Sequence, residues 1–526
     1  MNTFYRDAVA KHGSYRKAAV ATGIPRTTFF DRWKKELATE KFEKAVAAPS
    51  VVKFTKKDVK KYIFTCAVRN APVHSDFLNN LIAYADHIGA ELRIGPLTST
   101  ARQRFADLDP EEFDDDVYGF LSDEPVVIGD RVRFSPELNL TPTCVKPLEG
   151  LQAYTKRLWG VFPHTKISLE TVATHKERET KVNVTTGAVT RAMYSPTKAG
   201  FRAKFDHIFG AVVVEVDERG QWIRHVQPRD DTDGTFYDLD NVVSGGKVAT
   251  NTGVEALVYG DIHIEQLNPC VATATWKYNS RTPSFYKSLV DILKPKLQVF
   301  HDLMDFTSIN YHEMGDFFKR YQKYITTTDN LIEAFESARE FLDYVTTLAP
   351  TNIVVDSNHD YFLNKWLLKF DPAYTGDMQN AQMFYRLKCR ALELLAEDKQ
   401  FSLLGTALNE LFSPIKRDCK FLGPDDSYEV MGVELGWHGH RGANGSRGSR
   451  GSFKFVTEKS TTAHLHGPSI MSGSHIVGTS SCLDLGYNQG PSSWSHTHGV
   501  LYPHGHRALL TMSDDRFWAG QLHGCY

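Results

Sequence analysis

Apolar and polar positions alternate in different ways along the chain, and the changes divide it into four segments. Near the N-terminus, apolar residues recur every three or four positions over 2–13, 15–22 and 27–41, which predicts three short helices. From Val254 onwards, strand-like apolar runs alternate with helical stretches, which predicts an α/β layered fold. The predicted segments are a helical module at 1–43, a linker at 44–60, a mixed α/β domain of unknown role at 61–250 and a second α/β domain at 251–526.

The N-terminal module resembles the helix-turn-helix of site-specific recombinases and small repressors. Small Ala18 and Ala19 allow two helices to approach closely, and Gly23 fits the turn before the third helix. Residues 1–61 contain 15 Lys and Arg against 6 Asp and Glu, so this segment is suited to an anionic polymer. The resemblance implies that the third helix contacts DNA through Arg26, Thr28, Arg32 and Lys35. A small helical bundle used for assembly is the alternative.

Composition limits the other possibilities. The whole chain is nearly neutral, with 61 basic and 63 acidic residues, so nucleic-acid binding would be confined to particular segments. No apolar run reaches the roughly 20 residues that a membrane-spanning helix needs, and the N-terminus has no apolar signal-peptide core. We therefore expect a protein that acts in the cytoplasm and not in a membrane. Its 7 cysteines have no CxxC spacing, so a thiolate zinc site is not predicted.

Five apolar runs in the C-terminal segment end in residues that bind metals. In an α/β fold, such residues meet at the carboxyl ends of the strands. Carboxylate, imidazole and amide groups without thiolate suit manganese, iron or zinc. VEALVYG precedes Asp261 and His263, KLQVFH precedes Asp302, NIVVDS precedes Asn358, His359 and Asp360, YEVMGVELGW precedes His438, and STTA precedes His464 and His466.

This series of motifs, DxH, DxxD, NHD, a single His and HxH, resembles that of the calcineurin-like metallophosphoesterase superfamily. The resemblance implies a β-sandwich flanked by helices and two divalent metal ions, with Mn²⁺ favoured and Fe, Zn or Mg as alternatives. A pair of ions about 3.5–4 Å apart can stabilise both the attacking and the leaving oxygen of a phosphoryl displacement. Asp302 takes the position of the carboxylate that bridges the ions. The full set of implied ligands is Asp261, His263, Asp302, Asn358, His438, His464 and His466.

Two neighbouring residues are implied to act in catalysis. In the family that this chain resembles, the residue at His359 lies over the scissile phosphate and protonates the leaving oxygen or stabilises developing charge. Asp360 could hold the His359 ring in the required tautomer, and Asp305 is expected to be a hydrogen-bond partner rather than a ligand. The chain departs from the family pattern in loops beside the ligands, where glycine is replaced by His301, Ser357 and Ala463.

A second HxH sequence, at His496 and His498, competes with His464 and His466 for the last position in the series. In the family, HxH is followed by a short apolar strand and a Gly-Ser or Gly-Thr turn, and HIVGTSS at 475–481 provides both. The sequence beyond His498, GVLYPHGHRALLTM, predicts a closing hairpin. His464 and His466 are therefore favoured as ligands.

A basic, glycine-rich stretch follows His438. WHGHRGANGSRGSRGSFKF at 437–455 contains no acidic residue. Gly and Ser allow backbone amides to approach an anion, and Arg binds phosphate in a bidentate manner. A flexible surface loop is the alternative. The position beside a ligand favours contact with substrate phosphates through Arg441, Asn444, Arg447 and Arg450.

This stretch and the run from HLHGPS to SHTH resemble phage-encoded calcineurin-like DNA nucleases of the pre-early, host-DNA-degrading type of T5-like phages. The resemblance covers about residues 250–526. It implies a metal-dependent DNase that acts on DNA in the host bacterial cytoplasm, often as a homo-oligomer. Two alternatives remain open. One is a nucleotide or phosphoprotein phosphoesterase whose helical N-terminus serves assembly, and the other is a DNA-binding regulator with a decayed site.

Overall fold

The structure is a computed structural model that describes residues 4–12, 15–26, 28–33, 36, 50–52, 59–98, 112–412 and 414–524. The chain forms two compact units. The first is Met1–Val172 with Lys181–Thr250, and the second is Ala173–Thr180 with Asn251–Tyr526. Both contain helices and mixed sheets, so the prediction of an α/β protein is confirmed at this level.

The first unit begins with the short helices that the apolar spacing predicts. They are α1 (Phe4–His12) and α2 (Tyr15–Thr22), and residues 26, 28–33 and 36 are also helical. Phe29 and Trp33 are buried in one hydrophobic core with Val117 and Tyr118 of the following α/β region. These helices are therefore packed into the first unit, and their side chains contribute to its core.

The strands of the first unit form three groups. One sheet has the strand order β10-β9-β2-β3, and a second has the order β11-β12-β13. The third group has the order β1-β4-β5-β6-β8-β7. Residues 50–52 of the predicted linker form β1, which pairs in parallel with β4. The bounds are β1 (Ser50–Val52), β2 (Lys60–Val68), β3 (Glu91–Leu97), β4 (Val126–Ile128), β5 (Val132–Phe134), β6 (Trp159–Phe162), β7 (Ser168–Val172), β8 (Lys181–Thr185), β9 (Ala211–Val216), β10 (Gln221–Val226), β11 (Phe236–Asp238), β12 (Asn241–Ser244) and β13 (Lys247–Ala249).

Two further helices complete the first unit, α3 (Ser75–Ile88) and α4 (Lys198–Asp206). α3 connects β2 to the parallel strand β3, the crossover that parallel pairing requires. The His74 side chain accepts from the Phe77 amide at its start. Gly89 ends the helix at φ 68°, a left-handed conformation that favours glycine.

The second unit contains two sheets with the orders β17-β16-β15-β14-β23-β24 and β21-β22-β20-β19-β18. In the first sheet, β14 to β17 are parallel, whereas β23 and β24 are antiparallel. In the second, β19, β20 and β22 are parallel. The bounds are β14 (Ala256–Val258), β15 (Leu297–His301), β16 (Thr351–Val355), β17 (Lys420–Phe421), β18 (Glu429–Val430), β19 (Val433–Glu434), β20 (Lys459–Thr462), β21 (Ser469–Met471), β22 (Ser474–Ile476), β23 (Thr497–Leu501) and β24 (Arg507–Thr511).

Helices of the second unit connect its parallel strands. α5 begins with proline after the capping side chain of Asn268, a favourable first turn because proline lacks the amide hydrogen. No helix in the described part of the chain is long and apolar enough to span a membrane. The bounds are α5 (Pro269–Trp276), α6 (Leu289–Leu293), α7 (Phe317–Thr326), α8 (Leu331–Val345), α9 (Asp360–Lys369), α10 (Pro372–Thr375), α11 (Ala381–Ala396) and α12 (Leu403–Thr406).

Candidate metal centre

The carboxyl ends of parallel strands bring the predicted ligands of the second unit to one edge. Asp261 follows β14, Asp302 follows β15 and Asn358 follows β16. These strands are neighbours in the first sheet, so residues just beyond their ends are close in space. In the second sheet, the parallel strands β19 and β20 precede His438 and His464 in the same way.

A close backbone contact joins the ends of the two sheets beside Asp261. A Cβ on Gly260 would lie 2.6 Å from backbone atoms of Gly478 and Thr479, so only glycine allows this approach. Asp261 forms an isolated parallel bridge with Thr479. The His464 amide donates to Oδ1 of Asp261 at 3.2 Å. The aspartate from the first sheet therefore lies directly against the histidines from the second.

Asp302 lies at the centre of the cluster. Its Oδ2 is 3.6 Å from Nε2 of His263 and 3.6 Å from Nε2 of His438. The same oxygen is 3.9 Å from Nε2 of His359. Its other oxygen, Oδ1, accepts a 2.6 Å hydrogen bond from the Ser357 hydroxyl. One buried carboxylate oxygen therefore faces imidazoles from three different segments.

Asp261, His263 and His466 form the adjacent part of the cluster. His466 Nε2 is 2.7 Å from Oδ2 of Asp261 and 3.4 Å from Nε2 of His263. Two ligands about 2.1 Å from one ion in tetrahedral geometry lie about 3.4 Å apart. The separation of the two imidazole nitrogens therefore fits joint binding of a metal ion.

Buried and half-buried histidine and aspartate groups of the described chain could hold metal ions in three overlapping sets. The Nδ1 atoms of His438 and His466 are buried and have no hydrogen-bond partner among the described residues. All three sets consist of groups that ligate divalent transition metals through nitrogen and oxygen. They are Asp261 with His263 and His466, His263 with Asp302 and His359, and Asp261 with Asp302 and His438.

The electrostatics of the cluster reflect this close packing. Burial alone would raise the pKa of Asp261, but the hydrogen bond from His466 and the charge on His263 outweigh it and lower that pKa well below its ordinary value. Burial would lower the pKa of His263, but Asp302 and Asp305 raise it to about 10. At His438 burial prevails and lowers the pKa. His438 is thus held neutral, the form in which an imidazole can donate its lone pair to a metal.

Several residues of the cluster have a backbone conformation that side chains rarely adopt. The φ angles are 43° at His263, 46° at Asp302, 71° at His464 and 54° at His466. Such conformations cost about 1–3 kcal/mol each and persist where the surrounding structure enforces them. Their concentration at four of the predicted ligands supports a functional role for this edge.

The remaining two predicted ligands lie beside His438. Oδ1 of Asn358 is 3.0 Å from Nε2 of His438. The His464 ring is 5.3 Å from the His438 ring, measured between centroids. His464 does not belong to the three metal-capable sets of the described residues, although its backbone amide contacts Asp261.

The predicted catalytic histidine faces the cluster. Nδ1 of His359 is 2.8 Å from the carbonyl oxygen of Asp305. A carbonyl only accepts, so Nδ1 carries the hydrogen and Nε2 points towards Asp302. Asp360 was expected to orient this ring, but its Oδ2 accepts from the Ser357 amide at 2.9 Å instead. Asp305 thus orients the ring through its backbone, and Asp360 holds the loop that precedes it.

The basic stretch after His438 forms a tight hairpin. The Gly442 amide donates to the Ser446 carbonyl at 2.7 Å, and the Gly448 amide donates to the His440 carbonyl at 2.9 Å. Between these bonds, Arg441 and Arg447 form an antiparallel bridge, which places both side chains on the same face. Directly opposed like charges destabilise a hairpin. A bound anion between the two guanidinium groups would remove this repulsion.

The other two residues predicted to bind substrate belong to the same stretch. Asn444 is exposed at the tip of the hairpin, with φ 57°. Arg450 is half-buried, and its Nη2 donates to the Ser493 hydroxyl at 3.2 Å. Arg450 therefore links the basic stretch to the loop before β23.

Of the predicted DNA contacts near the N-terminus, Lys35 lies outside the described residues. Arg26 and Arg32 are exposed and Thr28 is half-buried. Nη2 of Arg26 donates to the Tyr15 hydroxyl at 2.9 Å and is 4.0 Å from Asp115. Nη1 of Arg32 donates to the Tyr5 hydroxyl at 2.9 Å. Both arginines thus already have partners within the first unit.

The competing HxH pair has contacts of its own. His498 Nδ1 accepts from the Gly260 amide at 3.2 Å, and its Nε2 is 3.1 Å from the Thr275 hydroxyl. His496 Nε2 lies 3.0 Å from the Ser481 carbonyl. Neither residue is in a metal-capable set of the described chain. His498 instead fixes the backbone that leads into Asp261.

Sequence reasoning missed two kinds of residue at the site. Glu265 accepts from the amides of Asp305 and Phe306 at 2.7 and 2.8 Å and thereby shapes the loop after Asp302. Trp494 packs against His466 with ring centroids 4.2 Å apart. The only signal for Glu265 is its position just after the DxH motif, and an aromatic residue in a loop carries no signal of its own.

These features define an α/β protein with a buried imidazole–carboxylate cluster that could hold metal ions. The chain is 33% identical over 483 residues to Protein A1 of Escherichia phage T5, and the alignment spans 90% of this chain and 85% of the phage protein. The chain therefore belongs to the family of this phage protein. No family model and no solved structure matches the chain.

Proposed function

We propose that this protein is a metal-dependent nuclease that hydrolyses DNA phosphodiester bonds at the cluster around Asp302. The observation that carries the proposal is the convergence of His263 and His438 on this carboxylate, with His466 against the neighbouring Asp261. The order of the motifs along the chain supports assignment to the calcineurin-like metallophosphoesterases, with a fold of that type in the second unit.

Two divalent ions are the proposed cofactors, with Mn²⁺ favoured. Asp261, His263, His466 and Asp302 would hold one ion, and Asp302, Asn358, His438 and His464 would hold the other. Ions bound there would supply Lewis-acid stabilisation of charge on phosphoryl oxygens and lower the pKa of a coordinated water to about 7. Asp302 suits the shared position because its free oxygen faces histidines from both proposed ligand sets.

His359 is proposed to assist departure of the leaving group. Its Nδ1–H donates to the Asp305 carbonyl, which fixes the ring plane and leaves Nε2 facing the cluster. When protonated at Nε2, the ring can donate a hydrogen bond or a proton to the departing alkoxide oxygen of the sugar. The contact of Phe362 with the ring, at 4.7 Å between centroids, supports this orientation.

The arginine hairpin supports a polyanionic substrate. Arg441 and Arg447 share one face of the hairpin, and the hairpin follows His438 directly in the chain. A phosphodiester adjacent to the reacting one could be bound between the two guanidinium groups. A phosphoprotein would offer no regular series of phosphates to such a pair. This feature therefore favours DNA over the phosphoprotein substrate considered from the sequence.

Family membership with a phage protein supports a role during infection, and degradation of host DNA in the bacterial cytoplasm is the role that we propose. The N-terminal helices, of helix-turn-helix type, would contact DNA through Arg26 and Arg32 on their exposed surface. Assembly into a homo-oligomer is part of the same proposal.

The test uses the full chain, stripped of metal and reconstituted with Mn²⁺, Mg²⁺ or Zn²⁺ in turn. Supercoiled and linear DNA are incubated beside a chromogenic phosphodiester. We expect DNA cleavage that depends on Mn²⁺ and is absent from Asp302→Ala. Turnover of the small ester without DNA cleavage would contradict the nuclease assignment, and turnover of neither substrate with any metal would contradict enzymatic function altogether.

The DNA-binding role of the N-terminal helices is tested separately with the double variant Arg26→Ala and Arg32→Ala. If the helices contact DNA, the affinity falls, and the slope of log K against log salt decreases by about two, because each phosphate contact contributes about 0.9 to it. Turnover of the chromogenic ester should not change. An unchanged affinity and salt slope would contradict DNA binding by this module.

A further inference from the structure

An aromatic pair lies at the edge of the candidate metal centre and is not part of the ligand set. Trp494 packs against His466, with planes inclined by 73°. Tyr487 lies 5.9 Å from Trp494 between ring centroids, and 58% of Tyr487 is exposed. Exposure of so large an apolar ring beside a reactive site leaves a flat surface for a ligand to cover.

The phenol of Tyr487 stays in its neutral form. Partial burial, and then the negative charges of Asp305, Asp302 and Asp261, raise the pKa of Tyr487. A neutral ring with one open face is suited to stacking rather than to acid–base chemistry.

A cation lies next to this aromatic pair. Arg450 donates to the hydroxyl of Ser493, the residue before Trp494, at 3.2 Å. A Cβ on Gly467 would lie 2.8 Å from Nη2 of Arg450 and 3.0 Å from Oγ of Ser493. The guanidinium group of Arg450 thus lies against Gly467, the residue after His466. Because glycine has no side chain, it leaves room for this group.

The aromatic pair and Arg450 together match the base and the phosphate of a nucleotide. A phosphate adjacent to the reacting one can lie near Arg450, while its base covers the ring of Tyr487. Inside duplex DNA, both faces of each internal base are already covered by neighbouring bases. An internal base can therefore stack on Tyr487 only when it is unpaired and turned out of the helix.

We propose that Tyr487, Trp494 and Arg450 form a nucleotide subsite that stacks an unpaired base beside the scissile phosphate, so that single-stranded DNA is the preferred substrate. The proposal rests on the nuclease function proposed above and specifies its substrate class. Stacking of a base on an aromatic side chain contributes about 1–3 kcal/mol, which corresponds to about 5- to 150-fold in kcat/KM.

The first test compares Tyr487→Ala with the wild-type protein on a labelled single strand and on a blunt duplex of the same sequence. We expect kcat/KM for the single strand to fall by about 5- to 150-fold and the preference over duplex to be lost. Tyr487→Phe should restore the preference, because stacking needs the ring and not the hydroxyl. Tyr374→Ala, at a residue that is 91% exposed in the same unit, is the matched control and should behave as wild type.

The outcomes separate this subsite from the nuclease function itself. Wild-type cleavage of DNA with an unchanged single-strand preference in Tyr487→Ala would overturn the subsite while leaving the nuclease intact. An equal loss on both substrates, not restored by Tyr487→Phe, would also overturn it. Absence of any wild-type DNA cleavage would refute the nuclease function instead.

A binding measurement gives a readout that does not depend on turnover. A phosphorothioate single strand that resists cleavage is titrated into the protein, and tryptophan fluorescence is recorded. We expect quenching in the wild type, and a smaller amplitude in Trp494→Phe despite the other tryptophans among the 8 in the chain. Equal quenching in wild type and Trp494→Phe would mean that the base does not lie at this aromatic pair.

Discussion

The hydroxyl of Ser357 donates a 2.6 Å hydrogen bond to Oδ1 of Asp302, while Oδ2 of the same carboxylate faces His263, His359 and His438. One oxygen is thus occupied by the protein and the other is directed into the cluster. The serine side chain therefore holds one oxygen of this carboxylate in place. This arrangement determines what two neighbouring substitutions should do.

Asp302→Ala should abolish activity and weaken metal binding. The substitution removes the only carboxylate whose oxygen lies within 4 Å of His263, His359 and His438 together in the described chain. Loss of charge stabilisation at a metal centre amounts to several kcal/mol, so activity should fall at least about 100-fold. Metal content after dialysis and the rate of DNA cleavage measure the two effects.

Asp418→Ala, at an exposed aspartate of the same unit, provides the control for loss of a carboxylate. It should retain metal and activity. Near wild-type cleavage by Asp302→Ala would mean that Asp302 is not the central ligand.

Ser357→Ala removes the hydrogen bond that holds the Asp302 carboxylate but leaves the carboxylate itself in place. Without the hydrogen bond, the Asp302 carboxylate can rotate. Loss of such a supporting contact typically lowers metal affinity or activity by about 10- to 100-fold, so we expect the Mn²⁺ affinity to decrease by about that factor. Isothermal titration with Mn²⁺ gives the affinity. Ser337→Ala removes an exposed hydroxyl that donates to the Glu333 carbonyl within α8 and should leave Mn²⁺ affinity unchanged. Equal affinities in the two variants would show that Ser357 does not orient Asp302.

The approach of Asp261, Asp302 and His438 could be anticipated from the sequence because apolar runs predict parallel strands, and parallel strands end at one edge. The contacts made by loops could not. Nothing in the residue pattern predicts that Glu265 binds the backbone after Asp302. Left-handed φ angles at residues such as His464 are equally invisible, because they result from constraints imposed by distant segments.

The N-terminal helices show a different limit. Their periodic apolar faces correctly predict α1 and α2, but a periodic face indicates only that something is buried against it. It does not identify the partner. Trp33 packs on Tyr118, 5.9 Å away between ring centroids, a contact between positions 85 residues apart in the sequence. A sequence pattern confined to short windows cannot show such a pairing.

Arg441→Ala with Arg447→Ala should weaken DNA binding while sparing the chemistry. The two side chains share one face of the hairpin, so both would lose a phosphate contact. The slope of log K against log salt should decrease by about two, and the rate on the chromogenic ester should not change. Fluorescence anisotropy at several salt concentrations provides the slope.

The matched control for the hairpin is Arg417→Ala, which removes an exposed arginine elsewhere in the second unit. A decrease in the salt slope by Arg417→Ala as large as that of the hairpin variant would indicate nonspecific attraction.

Trp33→Ala should destabilise the first unit. Trp33 is 1% exposed and stacks on Tyr15 at 5.7 Å, so its truncation leaves a cavity in a core shared with the α/β region. Such substitutions lower the free energy of unfolding by about 3–5 kcal/mol. Urea unfolding gives the change in the free energy of unfolding. Phe4→Ala, at a residue 47% exposed on α1, should cost much less. Separate melting of the helices without effect on the remaining transition would contradict a shared core.

The first unit should also lose stability in acid through its buried histidines. Burial lowers the pKa of His225 to about 4, although its hydrogen bond to the Thr185 carbonyl opposes this. The unfolded chain takes up a proton near pH 6.5 and the folded chain only near pH 4. The stability contributed by neutral His225 is therefore complete above pH 6.5 and is lost as the pH falls towards 4, up to about 3 kcal/mol.

His225→Gln can keep a donor to the Thr185 carbonyl but cannot titrate. Its free energy of unfolding, measured in urea at pH 7, 6 and 5, should fall less steeply with acid than that of the wild type. His164 and His207 also have a pKa lowered by burial to about 4, so a residual slope should remain in the variant. Parallel curves for the two proteins would mean that His225 is protonated equally in the folded and unfolded chains. In that case burial of its ring in β10 would not exclude the charged form.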